Sequence, residues 1–143
     1  MLRNIYQYNV NLLPCIQKYG CLFLCFAYIS PITFENVEGE RALNRLWILA
    51  EDKQIIVDNE IKDHNALAKL FDLNVKYDDK HRNPEERIPQ NVAFLFGCFF
   101  WKGTHFVVLN KRLEVEFDPL LYSNTVKYGY LKSTRWYYAD ENA

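Results

Sequence analysis

Several features that would point to common protein classes are missing from this chain. Its 143 residues contain no Cys-x-x-Cys pair and no His-x-x-x-His pair, which argues against a structural zinc site. The longest apolar run, residues 21–32, is interrupted by Ser30 and Pro31 and is shorter than the ~20 residues that a membrane span needs. Acidic and basic residues are interspersed, with a net charge of −1, so no basic stripe indicates nucleic-acid binding. We therefore expect no metal, no organic cofactor, no membrane span and no nucleic-acid partner.

The N-terminal sequence "MLRNIYQYNVNLLP" lacks the apolar centre of a signal peptide. We therefore expect a chain that is cytoplasmic as synthesised. The four cysteines are then expected to be thiols, since disulfides are rare in reducing compartments. The oligomeric state is not readable from the sequence.

What the chain does contain favours one packed domain over residues 1–143. Half of the residues are apolar and 16% are aromatic, and no repeat or linker interrupts them. Helical patterns are predicted over residues 16–29, 37–50 and from Asp63 onward, with Glu40 among the residues facing water. An edge segment at 74–78 and three strands after Val92 follow, and residues 125–138 can supply one or two more strands. Helices followed by an antiparallel sheet predict an α+β fold.

The strand pair "THFVVLNKRLEVEFDP" places a histidine beside a carboxylate. If the turn is the two-residue loop Lys111-Arg112, His105 lies directly opposite Asp118. A loop of Asn110-Lys111 would instead pair His105 with Glu116 on the same face. A three-residue loop would put the acid and the histidine on opposite faces of the sheet. The partner of His105 is therefore Asp118 or Glu116.

A histidine held by a carboxylate can deprotonate a thiol, and Cys21 is the candidate in "IQKYGC". Cys21 is predicted to open a helix, where the helix dipole stabilises a thiolate. Gly20 allows close approach of the backbone, and Gln17, on the preceding loop, is predicted to point its amide at the backbone N–H of Cys21. Two such donors would form an oxyanion hole. Cys25 is assigned to the core, and Cys15 and Cys98 have no identified role.

These residues, in this order, resemble the papain-like cysteine peptidases. The matching stretches are "QKYGCLFLCFA", "HNALAKLFDLNV", "GTHFVVLN" and "FDPL", which span residues 17 to about 121. The chain looks most like the leader peptidases of bacteriocin exporters and their stand-alone relatives, and the tail "KYGYLKSTRWYY" is similar to the closing strand of compact phage and plasmid-borne members. Leu22 stands where the family usually has glycine after the nucleophile.

The resemblance implies a papain-like fold, with N-terminal helices packed on the antiparallel sheet. It also implies a peptidase or amidase, of which a phage-type lysin is one form. Cys21 would be the nucleophile, His105 the general base, Asp118 its orienting partner and Gln17 part of the oxyanion hole. The substrate would be a peptide or a peptidoglycan cross-link, and acyl transfer by the same residues stays open. A cell-wall substrate would be reached only by another route out of the cytoplasm, such as a phage holin. The alternative is a non-catalytic papain-like module whose aromatic segments, residues 93–101 and 137–141, form an exposed protein-binding surface.

Overall fold

The computed structural model describes residues 1–140, and the chain divides into two compact units. The first unit is Met1–Leu73 and the second is Asn74–Ala143. The division lies ahead of Val92, where the sequence becomes rich in aromatic and β-branched residues. The assignment of residues 1–143 to one domain stays a prediction.

The first unit is mainly helical, with two small strand pairs. Its elements are β1 (Leu2–Arg3), α1 (Pro14–Tyr19), α2 (Cys21–Ile29), β2 (Phe34–Glu35), α3 (Asn36–Asp52), β3 (Ile56–Val57), β4 (Glu60–Ile61) and α4 (His64–Leu70). Strands β1 and β2 are parallel, and β3 and β4 are antiparallel. The predicted helices at 37–50 and after Asp63 are confirmed, and the Asp63 side chain caps α4 by accepting a hydrogen bond from Ala66 N at 2.9 Å.

The core of the first unit is built around α2. Residues 23–27 of this helix are buried, as its almost continuous apolar sequence predicts. The Phe23 ring meets the rings of Trp47 and Phe71 edge to face, each at a centroid distance of 5.1 Å. Such aromatic contacts add to the hydrophobic stabilisation of a buried helix. Helix α2 is therefore held rigidly inside its unit.

Two predictions for the first unit are wrong in detail. The continuous helix expected over residues 16–29 is two helices that meet at Gly20. Glu40, expected to face water, is only 6% exposed, and its Oε1 lies 3.4 Å from Asn11 Nδ2. The cause is the N-terminal segment, which lies along α3: Asn44 Nδ2 donates to Asn11 O at 2.8 Å, and Leu13 N donates to Asn44 Oδ1 at 2.9 Å. Helical spacing alone gave no sign of this covering segment.

The second unit is a five-stranded antiparallel sheet with one short helix. Its elements are β5 (Val75–Tyr77), β6 (Val92–Phe100), β7 (Thr104–Leu109), β8 (Val115–Phe117), α5 (Asn124–Tyr128) and β9 (Tyr130–Ala139). The strand order is β5-β9-β6-β7-β8. The mixed helix and sheet class, the antiparallel sheet and the edge strand near 74–78 are thus confirmed. Residues 125–138, however, begin as a helix, because Ser123 caps α5 and its Oγ accepts from Val126 N at 3.3 Å.

The central aromatic residues of the sheet are buried. Strand β6 is buried from Phe94 to Cys98, and Tyr137 of β9 stacks against Tyr77 and Phe94 at centroid distances of 4.8 and 4.9 Å. The exposed surface considered over residues 93–101 and 137–141 is therefore contradicted at residues 94–98 and at Tyr137, which are buried. Glu141 lies outside the described residues.

Candidate functional site

His105 and Asp118 form a buried pair in the second unit. His105 Nε2 lies 2.7 Å from Asp118 Oδ1, and each side chain is 5% exposed. His105 is on β7, and Asp118 follows the last residue of β8. The structure thus brings together the two residues that the sequence paired, and Asp118, not Glu116, is the partner of His105.

The hairpin reaches this pairing by a different register from the one expected. The loop has three residues, Lys111 to Leu113, because Asn110 N donates to Glu114 O at 3.0 Å. Leu109 then pairs with Val115, but Val108 pairs with Phe117, so Glu116 is an extra residue in a β-bulge. Without the bulge, a three-residue loop would have turned Asp118 to the opposite face from His105. The bulge reverses that alternation and returns Asp118 to the face of His105.

The carboxylate of Asp118 is held by several donors. Oδ1 also accepts from Leu120 N at 2.9 Å, and Oδ2 accepts from Ser123 N at 3.0 Å. Burial raises the pKa of Asp118, but hydrogen bonds from His105, from the side chain and backbone of Ser123, and from the backbone of Leu120 outweigh it and lower the pKa to about 2. Asp118 is therefore an anion at neutral pH.

The charge of Asp118 sets the protonation of the imidazole. An ionised carboxylate only accepts hydrogen bonds, so His105 Nε2 must carry the hydrogen in their contact. In a neutral imidazole the other nitrogen, Nδ1, is then the acceptor. This arrangement prepares Nδ1 to take a proton.

Ser123 is a part of this site that the sequence did not reveal. It is buried, donates to Asp118 and also caps α5. The only local signal is a serine placed before a helix of five residues, which is too short to show a helical period. Ser123 connects the acid of the pair to the loop that follows it.

Cys21 is the first residue of α2, as predicted, and it is half-buried. No side chain caps α2, and the first N–H groups of a helix have no acceptor within the helix. An ideal Cβ on Gly20 would lie 2.4 Å from Ile16 O and 2.9 Å from Ile16 Cα, both backbone atoms. Only glycine therefore allows α1 and α2 to meet this closely, directly before the thiol.

Gln17 lies within α1, not on a loop as predicted. Its Nε2 donates to Asn9 O at 2.8 Å, which fixes the orientation of the amide. A side-chain amide has two hydrogens, so this bond uses one of them. Its role in an oxyanion hole stays a prediction.

The other cysteines differ from Cys21 in their surroundings. Cys25 and Cys98 are buried, and Cys15 is half-buried like Cys21. Burial and the nearby charge of Glu51 raise the pKa of Cys15, which makes its thiolate scarcer at neutral pH. Cys15 is thus a built-in comparison for any test of Cys21.

Two searches of the described residues gave negative results. Within residues 1–140, no group of three or more His, Cys, Asp and Glu side chains is arranged to hold a metal ion. Over the same residues, no helix has the length and apolar character to cross a membrane.

Comparison of the chain with protein-family models, with curated proteins and with solved structures gave no match.

Proposed function

We propose that this chain is a papain-like cysteine hydrolase that cleaves an amide bond in a peptide or in a peptidoglycan cross-link. The observation that carries the proposal is the buried His105–Asp118 pair, with 2.7 Å between Nε2 and Oδ1. A buried imidazole held by an ionised carboxylate is the base of cysteine and serine hydrolases on several unrelated folds. Cys21 is the nucleophile because it begins a helix whose first N–H groups are uncapped.

Each residue has a defined part in the proposed reaction. His105 Nδ1 takes the proton of the Cys21 thiol, and the thiolate sulfur attacks the amide carbonyl carbon. The backbone N–H of Cys21 and the Gln17 amide bind the oxyanion. The tetrahedral intermediate collapses to a thioester as His105 returns the proton to the leaving amine. Water then attacks the thioester, His105 takes its proton, and the thiol and a carboxylic acid are released.

Asp118 acts through His105. Its negative charge keeps the hydrogen on Nε2 and stabilises the imidazolium that forms when Nδ1 takes a proton. The bonds from Leu120 N and Ser123 N hold the carboxylate in place, so the ring of His105 is aimed before substrate arrives.

The first experiment measures how fast each cysteine reacts with iodoacetamide across a range of pH, read by mass spectrometry. In the wild type we expect Cys21 to react faster than Cys15, whose pKa is raised by burial and by Glu51. In His105→Ala, Cys21 should slow down while Cys15 is unchanged. The matched control is His81→Ala, which removes an exposed histidine of the same unit. Equal rates for Cys21 in the wild type and in His105→Ala would contradict the proposed pair.

A second experiment tests the position of the thiol directly. In His105→Cys, mild oxidation should form a disulfide between Cys21 and the introduced thiol, because a disulfide needs Cα atoms within about 7 Å. The same substitution at His81 should give none.

Activity is then measured on purified peptidoglycan and on a peptide library, with Cys21→Ala as the inactive control. Full activity of Cys21→Ala would refute the assignment of the nucleophile.

A further inference from the structure

One end of the sheet in the second unit carries an exposed group of aromatic side chains. Phe100, Tyr128 and Tyr130 are 38%, 57% and 60% exposed, and Trp101 is partly exposed. The rings touch in two pairs: Phe100 with Tyr130 at a centroid distance of 6.1 Å, and Trp101 with Tyr128 at 5.4 Å. Four neighbouring rings at a surface are unusual, since large aromatic side chains are mostly buried.

The backbone brings these rings together. Phe100 ends β6 and pairs with Tyr130, which begins β9. Between α5 and β9 stands Gly129, where an ideal Cβ would lie 2.3 Å from Phe100 O and 2.8 Å from Trp101 Cβ. Any side chain at this position would push Tyr128 and Tyr130 away from the β6 end. The close contact therefore depends on glycine.

Three lysines cover these rings. Lys102 Nζ lies 4.6 Å from the centre of the Trp101 ring, Lys127 Nζ lies 5.1 Å from that of Tyr128, and Lys132 Nζ lies 5.6 Å from that of Phe100. The sequence contains no Asp or Glu in residues 87–113 or in residues 119–139. The four rings and three lysines, here called the aromatic–lysine surface, thus carry local positive charge on a chain whose net charge is −1.

We propose that the aromatic–lysine surface binds the surface of an anionic lipid bilayer. Trp and Tyr side chains favour the headgroup layer of a bilayer, where the ring is partly in an apolar medium and its polar atom is wet. Lysines placed over the rings lay their alkyl chains along them and direct their ammonium groups toward lipid phosphates. Charge and side-chain type therefore both fit an anionic membrane surface.

The arrangement of the lysines favours lipid over a ligand that stacks. Nucleic-acid bases bind by stacking on open faces of aromatic rings. Here an ammonium group already lies over a face of three of the four rings. The surface also contains no arginine, the residue best suited to bidentate contacts with a phosphate backbone. This inference does not depend on the proposed hydrolase, because none of its residues belongs to that site.

Trp101 provides the readout for a test. The other two tryptophans, Trp47 and Trp136, are 1% and 3% exposed, so a change in tryptophan fluorescence on binding reports Trp101. The protein is titrated with vesicles of phosphatidylcholine alone and of phosphatidylcholine mixed with phosphatidylglycerol. We expect a blue shift and co-sedimentation with the mixed vesicles only, and both should weaken as salt is added.

Variants identify the residues responsible. The triple variant Lys102→Gln, Lys127→Gln, Lys132→Gln should bind mixed vesicles about 100-fold more weakly, since each lysine near an anionic bilayer contributes about 1 kcal/mol. The matched control changes three exposed lysines of the same unit, Lys76, Lys80 and Lys111, to Gln and should bind like the wild type. Trp101→Phe should lose the fluorescence change but still co-sediment.

Three results would overturn the inference. Binding of equal strength to neutral and anionic vesicles would remove the role of charge. Wild-type binding by the folded Lys102, Lys127 and Lys132 triple variant, with circular dichroism as the folding check, would remove the role of this surface. A Trp101 fluorescence change with a single-stranded oligonucleotide, and none with vesicles, would show that the surface binds nucleic acid instead.

Discussion

Replacing Asp118 by Asn should weaken the fold in a pH-dependent way. The carboxylate accepts hydrogen bonds from His105 Nε2, Leu120 N and Ser123 N at 2.7, 2.9 and 3.0 Å. An asparagine has one oxygen and one NH₂ group in that place, so the NH₂ group must face a donor. Asp118→Asn therefore loses the charge and leaves at least one buried donor without an acceptor.

The magnitude follows from the pKa of Asp118. The surrounding donors lower it from 3.8 to about 2 in the folded chain. A pKa difference contributes about 1.4 kcal/mol per unit, so the ionised form stabilises the fold by about 2 kcal/mol. Because the folded pKa is the lower one, this stability is fully present above about pH 4 to 5. It is lost as the pH falls toward about 2.

Urea unfolding followed by circular dichroism measures the effect. At about pH 7, Asp118→Asn should be less stable than the wild type by about 2 kcal/mol or more, and at about pH 3 roughly half of the charge contribution should have gone. The matched control is Glu116→Gln, which neutralises an exposed acid of β8 two residues before Asp118. That variant should change stability by less than about 0.5 kcal/mol at either pH.

One result would refute this account. If the stability difference between the wild type and Asp118→Asn were the same at about pH 7 and about pH 2, the Asp118 charge would contribute nothing through its hydrogen bonds. The pair with His105 would then be a packing contact and not an electrostatic one.

Two further changes test other parts of the fold. Gly20→Ala places a Cβ 2.4 Å from Ile16 O, so it should destabilise the chain by about 1–3 kcal/mol and slow the alkylation of Cys21. The control is Gly103→Ala, where a Cβ meets nothing within 4 Å, and this variant should be as stable as the wild type. Burial raises the pKa of Tyr77 to about 12 in the folded chain. As the pH rises, the unfolded chain therefore loses the Tyr77 proton at a lower pH than the folded chain, and the free energy of unfolding should fall between about pH 10 and pH 12. Tyr77→Phe should reduce that fall in urea unfolding at high pH, whereas Tyr122→Phe, at an exposed tyrosine, should leave it unchanged.

Local patterns predicted the parts of the site that depend on neighbouring residues. Helix α2 begins at Cys21 and ends before Ser30-Pro31 because glycine and proline mark its ends. The His105–Asp118 pair was predicted from the alternation of side chains on two strands joined by a short loop. The ends of α2 are set by adjacent residues, and the His105–Asp118 pair is set within a single hairpin.

Local sequence patterns did not predict the register of the hairpin formed by β7 and β8. Its loop holds Leu113 at a φ of 64°, a conformation that leucine rarely adopts, and the loop has no glycine that would indicate such a conformation. Glu116 in the bulge looks like any exposed residue of a strand. The three-residue loop and the bulge compensate each other, so the sequence reasoning reached the right partner through the wrong register.

The order of the strands in the sheet could not be predicted from local patterns either. The last strand, β9, inserts between β5 and β6, and nothing in its own sequence specifies those neighbours. Burial along the aromatic segments was also hard to predict, because a run of aromatic residues does not show which of its members the sheet covers. Of the expected segment 93–101, Phe94 and Phe96 are buried and Phe100 is exposed, whereas Tyr128 and Tyr130 are exposed outside the expected segments.

Asp118 has three structural roles, which connect the residues around it. Its carboxylate orients His105, folds the turn through Leu120 N, and binds Ser123, which caps the helix carrying Lys127 and Tyr128. The base of the proposed hydrolase and one half of the aromatic–lysine surface therefore share one anion. Asp118→Asn removes this anion from both, so we expect it to weaken vesicle binding as well as the reaction of Cys21. The two functions proposed here are separate in chemistry but are connected through this carboxylate.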